Sequence, residues 1–164
     1  AKPLQLERQD IDIRDTILRA GESCRTKAES KGVTVSMHLP SAQIITSVDS
    51  FHIERALVNL IDNAVDASQP GATVNISVAT DRSTLTITIK DQGSGMDSET
   101  LARLFMPFYT TKKEGTGLGM SISKKVFEAH SGTLDIRSEK EVGTEATIRL
   151  PYRDGDGRRN KTSL

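Results

Sequence analysis

The chain has 164 residues, the length of one domain, and its content of 35% hydrophobic and 27% charged residues suits a packed core and excludes a disordered chain. Its 22 basic side chains balance 22 acidic ones, so the charge gives no indication of broad binding to nucleic acid or an anionic membrane. The single cysteine, Cys24, excludes an internal disulfide and a multi-cysteine zinc site.

Hydrophobic spacing predicts the elements of the first half of the chain. A short edge strand is expected within 4–12 and one helix over 13–30, with Lys31-Gly32 as its stop. Strands are expected over 33–39 and 44–48. A second helix is expected from Ser50, as its N-cap, to Ser68.

The second half of the chain is predicted to contain two strands, a short helix, a long loop, another helix and two final strands. The expected elements are strands over 74–78 and 85–89, a short helix over 98–104, a long loop over 105–118, a helix over 119–130, and strands over 133–138 and 145–150. His130 is expected to be structural, at the end of its helix, where a partial positive charge suits the helix dipole.

This order of elements predicts an α+β fold. Its form is a two-layer α/β sandwich, in which a mixed, mainly antiparallel sheet carries helices on one face. Residues 1–12 are expected to be a linker and first strand, 13–151 the domain itself, and 152–164 a disordered tail. The N-terminus is expected to be a cut inside a longer protein.

The helix over 50–68 carries an unusual polar face. Asn59, Asp62, Asn63 and Asp66 recur at helical spacing opposite its apolar side chains, although Asn and Asp are poor residues for the middle of a helix. Oxygen ligands of this kind suit Mg²⁺, which usually arrives with phosphates. A plain polar stripe on a surface helix explains the same pattern equally well.

Two glycine motifs lie next to predicted elements. Asp91-Gln92-Gly93-Ser94-Gly95 follows a strand, where a carboxylate accepts a bond from an exocyclic amine and glycines admit a ligand, or where the chain simply turns. Gly115-Thr116-Gly117-Leu118-Gly119 precedes a helix, where backbone N–H groups form a phosphate nest or the chain hinges. Lys112 and Lys113 either meet phosphate charge or are solvated.

Taken together, and in this order, these motifs and the aromatic cluster Phe105-Met106-Pro107-Phe108-Tyr109 resemble the catalytic ATP-binding domain of bacterial two-component sensor histidine kinases. That family is shared with gyrase, MutL and the ninety-kilodalton chaperone. The resemblance covers residues 4–151. The wording Asn-Ala-Val-Asp-Ala, with Thr-Thr-Lys further on, is similar to the nitrogen-, oxygen- and dicarboxylate-sensing subgroup.

The resemblance implies a Bergerat-type fold that holds ATP and Mg²⁺ between the asparagine helix and a lid over 105–118. Asn63 and Asn59 would be the metal ligands and, with Lys112, the catalytic set, while Asp91 would take the adenine amine. The implied nucleotide-binding residues are Asn59, Asn63, Asp66, Asp91, Gly93, Gly95, Met96, Phe108, Thr110, Thr111, Lys112, Lys113, Gly115, Thr116, Gly117, Leu118, Gly119 and Thr144.

Two departures from the family pattern matter. Many sensor kinases carry lysine and an aromatic residue where this chain has Asp66-Ala67, so Lys112 or Lys113 would supply the charge for phosphate. No histidine here precedes a glutamate, so the phosphoacceptor histidine is expected on a separate dimerisation domain.

The implied activity is transfer of the γ-phosphate to that histidine. The implied partners are the chain's own dimerisation domain, as a homodimer in the full protein, and a response regulator, with no nucleic acid and no direct membrane contact. The domain is expected in the cytoplasm, and an inner-membrane sensor is the form considered for the full protein. The alternatives are an ATP-driven conformational switch of the chaperone or MutL type, an anti-sigma-type serine kinase, and a nucleotide-binding module without catalysis.

Overall fold

The computed structural model of the chain describes residues 3–110 and 119–153. The predicted loop residues 111–118 and tail residues 154–164 lie outside the described part. The elements are β1 (Gln9–Asp12), α1 (Ile13–Ser23), α2 (Arg25–Lys31), β2 (Thr34–His38), β3 (Ile45–Val48), α3 (Ser50–Ala67), β4 (Thr73–Thr80), β5 (Thr84–Asp91), α4 (Ser98–Arg103), α5 (Gly119–Ala129), β6 (Thr133–Glu139) and β7 (Gly143–Pro151).

The main sheet has five strands in the order β2-β4-β5-β7-β6. Only the β2–β4 pair is parallel, and β4–β5, β5–β7 and β6–β7 are antiparallel. β1 pairs with β3 in a separate two-stranded ladder. The predicted mixed, mainly antiparallel sheet is therefore confirmed. Within the described residues, no helix is both long and apolar enough to cross a membrane.

Strand alternation decides where the core lies. In β4 and β5 alternate side chains are buried, namely Val74, Ile76 and Val78 in β4 and Leu85, Ile87 and Ile89 in β5. The side chains between them are Asn, Ser and Thr, and they are partly exposed. The buried face packs against α3, whose Leu57, Ile61 and Val65 are at most 1% exposed. Since α1 and α5 flank α3, the helices form one layer on one face of the sheet, as predicted.

The prediction of a single helix over 13–30 is wrong, because the helix breaks at Cys24. The Cys24 N–H bonds back to Gly21 O at 3.2 Å, and α2 begins at the next residue. Ala20, Cys24 and Ala28 are all buried. The apolar period thus runs through the break, which explains why spacing alone did not reveal it. Gly32 ends α2 in a left-handed conformation with φ 71°, as the predicted stop requires.

The N-cap of α3 is Asp49, whereas the sequence indicated Ser50. Asp49 Oδ1 accepts the His52 N–H at 3.1 Å, and Oδ2 accepts the Glu7 N–H at 2.9 Å. The Ser50 hydroxyl instead bonds Thr16 of α1 at 2.9 Å. One aspartate therefore starts the helix and also holds the segment that leads into β1.

His130 is structural but uncharged, so the predicted positive charge is wrong. The ring is 2% exposed, its Nε2 accepts the Asp49 N–H at 3.0 Å, and its Nδ1 donates to Val126 O at 2.8 Å. Accepting a bond at one nitrogen requires the neutral form. Burial lowers the pKa of His130 below its ordinary value of 6.5.

This burial predicts a pH-dependent stability. The unfolded chain takes up a proton near pH 6.5 and the folded chain only below it, so the free energy of unfolding should fall as pH is lowered through that window. His130→Gln keeps an acceptor for Asp49 and should lose this part of the pH dependence. Urea unfolding at about pH 8 and about pH 5.5 measures the change. His38→Gln, on the exposed face of the sheet, is the control, and an unaltered pH dependence in His130→Gln would contradict the assignment.

Candidate functional site: a cavity beside the asparagine helix

A cavity of about 1000 Å³ opens between the polar face of α3, the ends of β5 and β7, and the start of α5. Its size suits a ligand of some tens of atoms. The predicted site residues that line it are Asn59, Asn63, Asp66, Asp91, Gly95, Met96, Thr110, Gly119 and Thr144. The structure thus brings together residues that are up to 85 positions apart in the sequence, from Asn59 to Thr144.

One end of the cavity is built around Asp91, the last residue of β5. Its side chain is 5% exposed, and Oδ1 accepts the Gly93 N–H at 2.9 Å and the Thr144 N–H at 3.2 Å. Both bonds go to the same oxygen, so within the described residues Oδ2 is left for a donor in the cavity. Burial raises the pKa of Asp91, against the effect of the two backbone bonds.

The glycines after Asp91 let two backbones approach closely. The Ser94 N–H bonds to Ala67 O at 3.1 Å, which ties this loop to the last turn of α3. A Cβ on Gly93 would overlap that same Ala67 carbonyl. Gly95 has φ 64°, and a Cβ there would overlap the Glu139 carbonyl of the β6–β7 hairpin. The predicted need for glycine is therefore explained by protein contacts at both positions.

A second anchor of this loop is Ser138 of β6. Its hydroxyl accepts the Met96 N–H at 2.8 Å and lies 2.7 Å from Thr144 Oγ1. The loop after β5 is consequently fixed on both sides, by α3 and by the hairpin.

At the other end of the cavity, α3 presents its two carboxamides beside the start of α5. Asn59 Nδ2 donates to Ser123 Oγ at 3.2 Å, and Asn63 Nδ2 approaches Met120 Sδ at 3.2 Å. The Asn59 amide lies against Gly119, where a Cβ would overlap it. The helix N-terminus that starts at Gly119 has a partial positive charge, which favours a negatively charged group.

A lysine from α2 reaches the polar stripe. Lys27 Nζ lies 3.0 Å from Asp62 Oδ1 and 2.5 Å from Asp66 Oδ1, and it lines the cavity. Burial opposes its charge, but the bonds to Asp66 and Asp62 outweigh burial and raise the pKa of Lys27. The sequence around α3 contains no basic residue between Arg55 and Arg82, so this cation arrives only through the tertiary fold.

Two predicted site residues in the described part of the chain do not line the cavity. Gly93 is behind the cavity wall, against Ala67, and Phe108 is 75% exposed with φ 66°. Of the aromatic cluster, Phe105 packs on the core under Lys124, whose Nζ lies 4.5 Å from the ring centroid, and Tyr109 lines the cavity. The predicted residues that lie outside the described part of the chain are Thr111, Lys112, Lys113, Gly115, Thr116, Gly117 and Leu118.

Comparison with known proteins agrees with this geometry. Residues 48–154 match the family described as histidine kinase-, DNA gyrase B- and HSP90-like ATPase. The chain belongs to this ATPase family. Membership makes the domain an ATP-binding one.

Related ATPase domains occur in sensor kinases. The chain is 31% identical over 152 residues to sporulation kinase A of Bacillus subtilis, covering 92% of this chain and 25% of that protein. It is 42% identical over 141 residues to the heme sensor protein HssS of Staphylococcus saprophyticus, covering 85% of this chain and 30% of that protein. The chain thus spans less than a third of each of these relatives.

A solved structure shares the fold as well as the sequence. The mycobacterial sensor histidine kinase MprB has a TM-score of 0.78 at 28% identity, covering 90% of this chain and 99% of that one. The catalytic domain of histidine kinase ThkA has a TM-score of 0.81 at 21% identity, covering 90% and 97%, which supports the fold alone.

Sequence reasoning missed Lys27 and Ser123. The signal for Lys27 was Asp66, which stands where many sensor kinases have a lysine, because a carboxylate beside the expected phosphate site would require a compensating cation. Nothing in the sequence around Ser123 distinguishes it from an ordinary helix serine.

The contact at Gly95 predicts a binding defect. Gly95→Ala adds a methyl group into the Glu139 carbonyl, which should displace the loop and weaken ATP binding as well as stability. Gly71→Ala is the matched control, because Gly71 has φ 90° but nothing within 4 Å of a Cβ. It should cost about 1–2 kcal/mol of stability from the left-handed backbone alone and leave ATP affinity unchanged. Calorimetric titration with ATP and thermal unfolding measure both effects, and normal ATP affinity in Gly95→Ala would contradict this role.

The ion pairs of Lys27 predict a charge effect on ATP affinity. Lys27→Met removes the positive charge that pairs with Asp62 and Asp66 beside the cavity, and should weaken ATP binding by about two- to fivefold because the pairs are partly solvated. Asp62→Asn in the same chain should restore part of the loss. Lys31→Met is the control, since Lys31 Nζ bonds the backbone carbonyls of Val65 and Asp66 and no carboxylate in the described part of the chain. Equal losses in the two lysine variants would show that α2 packing, and not charge, is responsible.

Proposed function

We propose that this domain binds Mg·ATP in the cavity beside α3 and donates the γ-phosphate to a histidine on a separate dimerisation and phosphoacceptor domain, in two-component signal transduction. The observation that carries the proposal is the pair of carboxamides, Asn59 and Asn63, which face one cavity with Asp91 at its other end. Family membership and the sensor-kinase relatives support the reaction class.

The donor set fits Mg²⁺ better than a transition metal. The described residues contain no group of three His, Cys, Asp or Glu side chains arranged to hold a metal. Mg²⁺ instead takes one or two protein oxygens, keeps several waters and binds through phosphates, and Asn63 and Asn59 supply such oxygens. Bound there, the ion would neutralise phosphate charge during transfer.

We assign the purine to the end of the cavity at Asp91. Asp91 Oδ2 would accept the exocyclic amine of adenine, in a buried environment where a bond to a charged acceptor contributes about 1.5–3 kcal/mol. The bonds from Gly93 and Thr144 to Oδ1 hold the carboxylate in one orientation before the base enters. Gly95 and Met96 line the cavity beside it.

The phosphates would then extend along α3 toward Gly119. The N-terminus of α5 and the Asn59 and Asn63 side chains lie at that end. We assign phosphate contacts also to Lys112, Lys113 and the glycines at 115 and 117, on the strength of the sequence motif.

The side chains favour transfer to a protein over hydrolysis. An amide at Asn59 is not a general base and cannot activate a water molecule. The carboxylates nearest along the stripe, Asp62 and Asp66, are paired with Lys27. Phosphoryl transfer needs mainly positioning and charge stabilisation, which this cavity offers.

The proposal extends to the whole protein. Its partners would be its own dimerisation domain in a homodimer and a downstream response regulator, and this domain would act in the cytoplasm. Support comes from the relatives, of which this chain spans the ATP-binding part.

The test is phosphorylation of a supplied dimerisation domain. The wild-type chain should place acid-labile, base-stable phosphate on its histidine with labelled ATP, and Asn63→Ala should abolish this transfer. Asn75→Ala is the matched control, because Asn75 lies on β4 and bonds His38, away from the cavity. Transfer by Asn63→Ala at the wild-type rate would reject the assignment of Asn63, and acid-stable phosphate would favour a serine kinase.

A further inference from the structure

Both carboxamides of the stripe are contacted on their nitrogen by the same helix. Ser123 Oγ accepts from Asn59 Nδ2 at 3.2 Å, and Met120 Sδ lies 3.2 Å from Asn63 Nδ2. Ser123 and Met120 are three residues apart on α5, and Asn59 and Asn63 are four apart on α3, so each pair lies on one face of its helix. The α5 helix therefore contacts the donor side of both amides.

The hydroxyl of Ser123 selects one orientation of the Asn59 amide. Ser123 is 1% exposed, and its Oγ donates to Ala56 O at 3.3 Å. A hydroxyl has one hydrogen, so with that hydrogen on Ala56 O it can only accept from Asn59. The NH₂ group of Asn59 must then face Ser123 and the oxygen must face away.

Without a hydrogen-bonding neighbour, nothing in the shape of an asparagine side chain decides which way its amide oxygen points. The oxygen and the NH₂ group are nearly equal in size, so an unrestrained amide rotates between two orientations of similar shape. Gly119 leaves room for the amide, because a Cβ there would overlap the Asn59 side chain. Among the described residues, Ser123 is the hydrogen-bond partner of the Asn59 side chain, and it contacts Nδ2 and not Oδ1.

Folding alone does not explain a hydroxyl at this position. Ser123 lies in the same buried row of α5 as Val126 and Phe127, where alanine would fill a similar space without a polar atom to desolvate. Ala56 O lies in the interior of α3, where the helix ladder already supplies a backbone donor. The main effect of the additional bond from Ser123 to Ala56 O is therefore to fix the direction of the Ser123 hydroxyl hydrogen.

We propose that Ser123 is a positioning residue that orients the Asn59 carboxamide with its oxygen toward the metal and phosphate end of the cavity. This inference rests on the proposed function, since it assigns Asn59 Oδ1 to a Mg²⁺·phosphate ligand. In the opposite orientation the NH₂ dipole would point at the cation and repel it. Ser123 itself touches neither ion nor nucleotide.

The first experiment separates metal-linked binding from binding of the base. Ser123→Ala should weaken Mg·ATP binding in calorimetric titration by about tenfold, the value of one hydrogen bond. The affinity for adenosine, which has neither phosphate nor metal, should stay at the wild-type value. Equal affinities of wild type and Ser123→Ala for Mg·ATP, or equal losses for Mg·ATP and adenosine, would overturn the proposal.

The matched control removes a buried hydroxyl at the C-terminal end of α3. The Ser68 hydroxyl also donates to a carbonyl of α3, Ala64 O at 2.7 Å, and Ser68 is 3% exposed. Ser68→Ala should lower thermal stability and leave both affinities unchanged. If Ser123→Ala does not fold, Ser123→Cys keeps the volume with a weak hydrogen-bonding group and should show the same selective loss.

A double-mutant cycle tests whether Ser123 acts through Asn59. In an Asn59→Ala chain the further change Ser123→Ala should have no effect on Mg·ATP affinity, because the group that it orients is already absent. Additive losses would show that Ser123 acts by another route. Failure of the wild-type chain itself to bind Mg·ATP would contradict the proposed function, whereas normal binding by Ser123→Ala would contradict only this inference.

Discussion

The structure depends on one helix, α3, which is buried on one side and lines the cavity on the other. Leu57, Ile61 and Val65 of α3 fix its rotation against the sheet, because turning any of them out of the core would cost several kcal/mol. Once that rotation is fixed, Asn59 and Asn63 can only face the cavity. The same hydrophobic burial that folds the domain therefore places its polar stripe to within a fraction of a helical turn, without any side chain of the stripe contributing to the core.

The two ends of the cavity are held by different means. Around Asp91 the restraints are backbone groups, namely the N–H groups of Gly93 and Thr144 and the contact of Ser94 with Ala67 O. Backbone bonds within a sheet and its adjoining loop leave little freedom, so this end is formed before a ligand arrives. Around Asn59 the restraints are side chains of α5, which begins at Gly119. This end responds to the position of a single helix.

The amino-acid pattern predicted the layers and the site stripe but not the cross-helix contacts. The alternation of apolar residues in the strands and their helical spacing in α3 are local consequences of burial. Both could be predicted from the sequence because each pattern repeats within a few residues. Asp66 indicated that a cation was needed, but the sequence did not identify it as Lys27, because Asp62 and Asp66 are 35 or more positions away and meet it only after α2 folds back. The break at Cys24 was hidden because it leaves the apolar period intact. The charge state of His130 was predicted wrongly for a related reason, because burial and the backbone N–H of Asp49, on another element, keep the ring neutral.

The charges on the polar face of α3 also explain why positions 59 and 63 carry asparagine and not aspartate. In the proposed complex, a triphosphate would bring several negative charges to a face that already holds Asp62 and Asp66, and Lys27 balances only one of these carboxylates by formal charge. A carboxylate at position 59 or 63 would bind a cation more strongly, but it would add repulsion against the phosphates. An amide offers an oxygen without the charge, provided that the oxygen rather than the NH₂ group faces the ligand. The use of Asn at these positions thus requires a neighbour that fixes the amide, and the contacts from Ser123 and Met120 are of the kind that such a stripe demands.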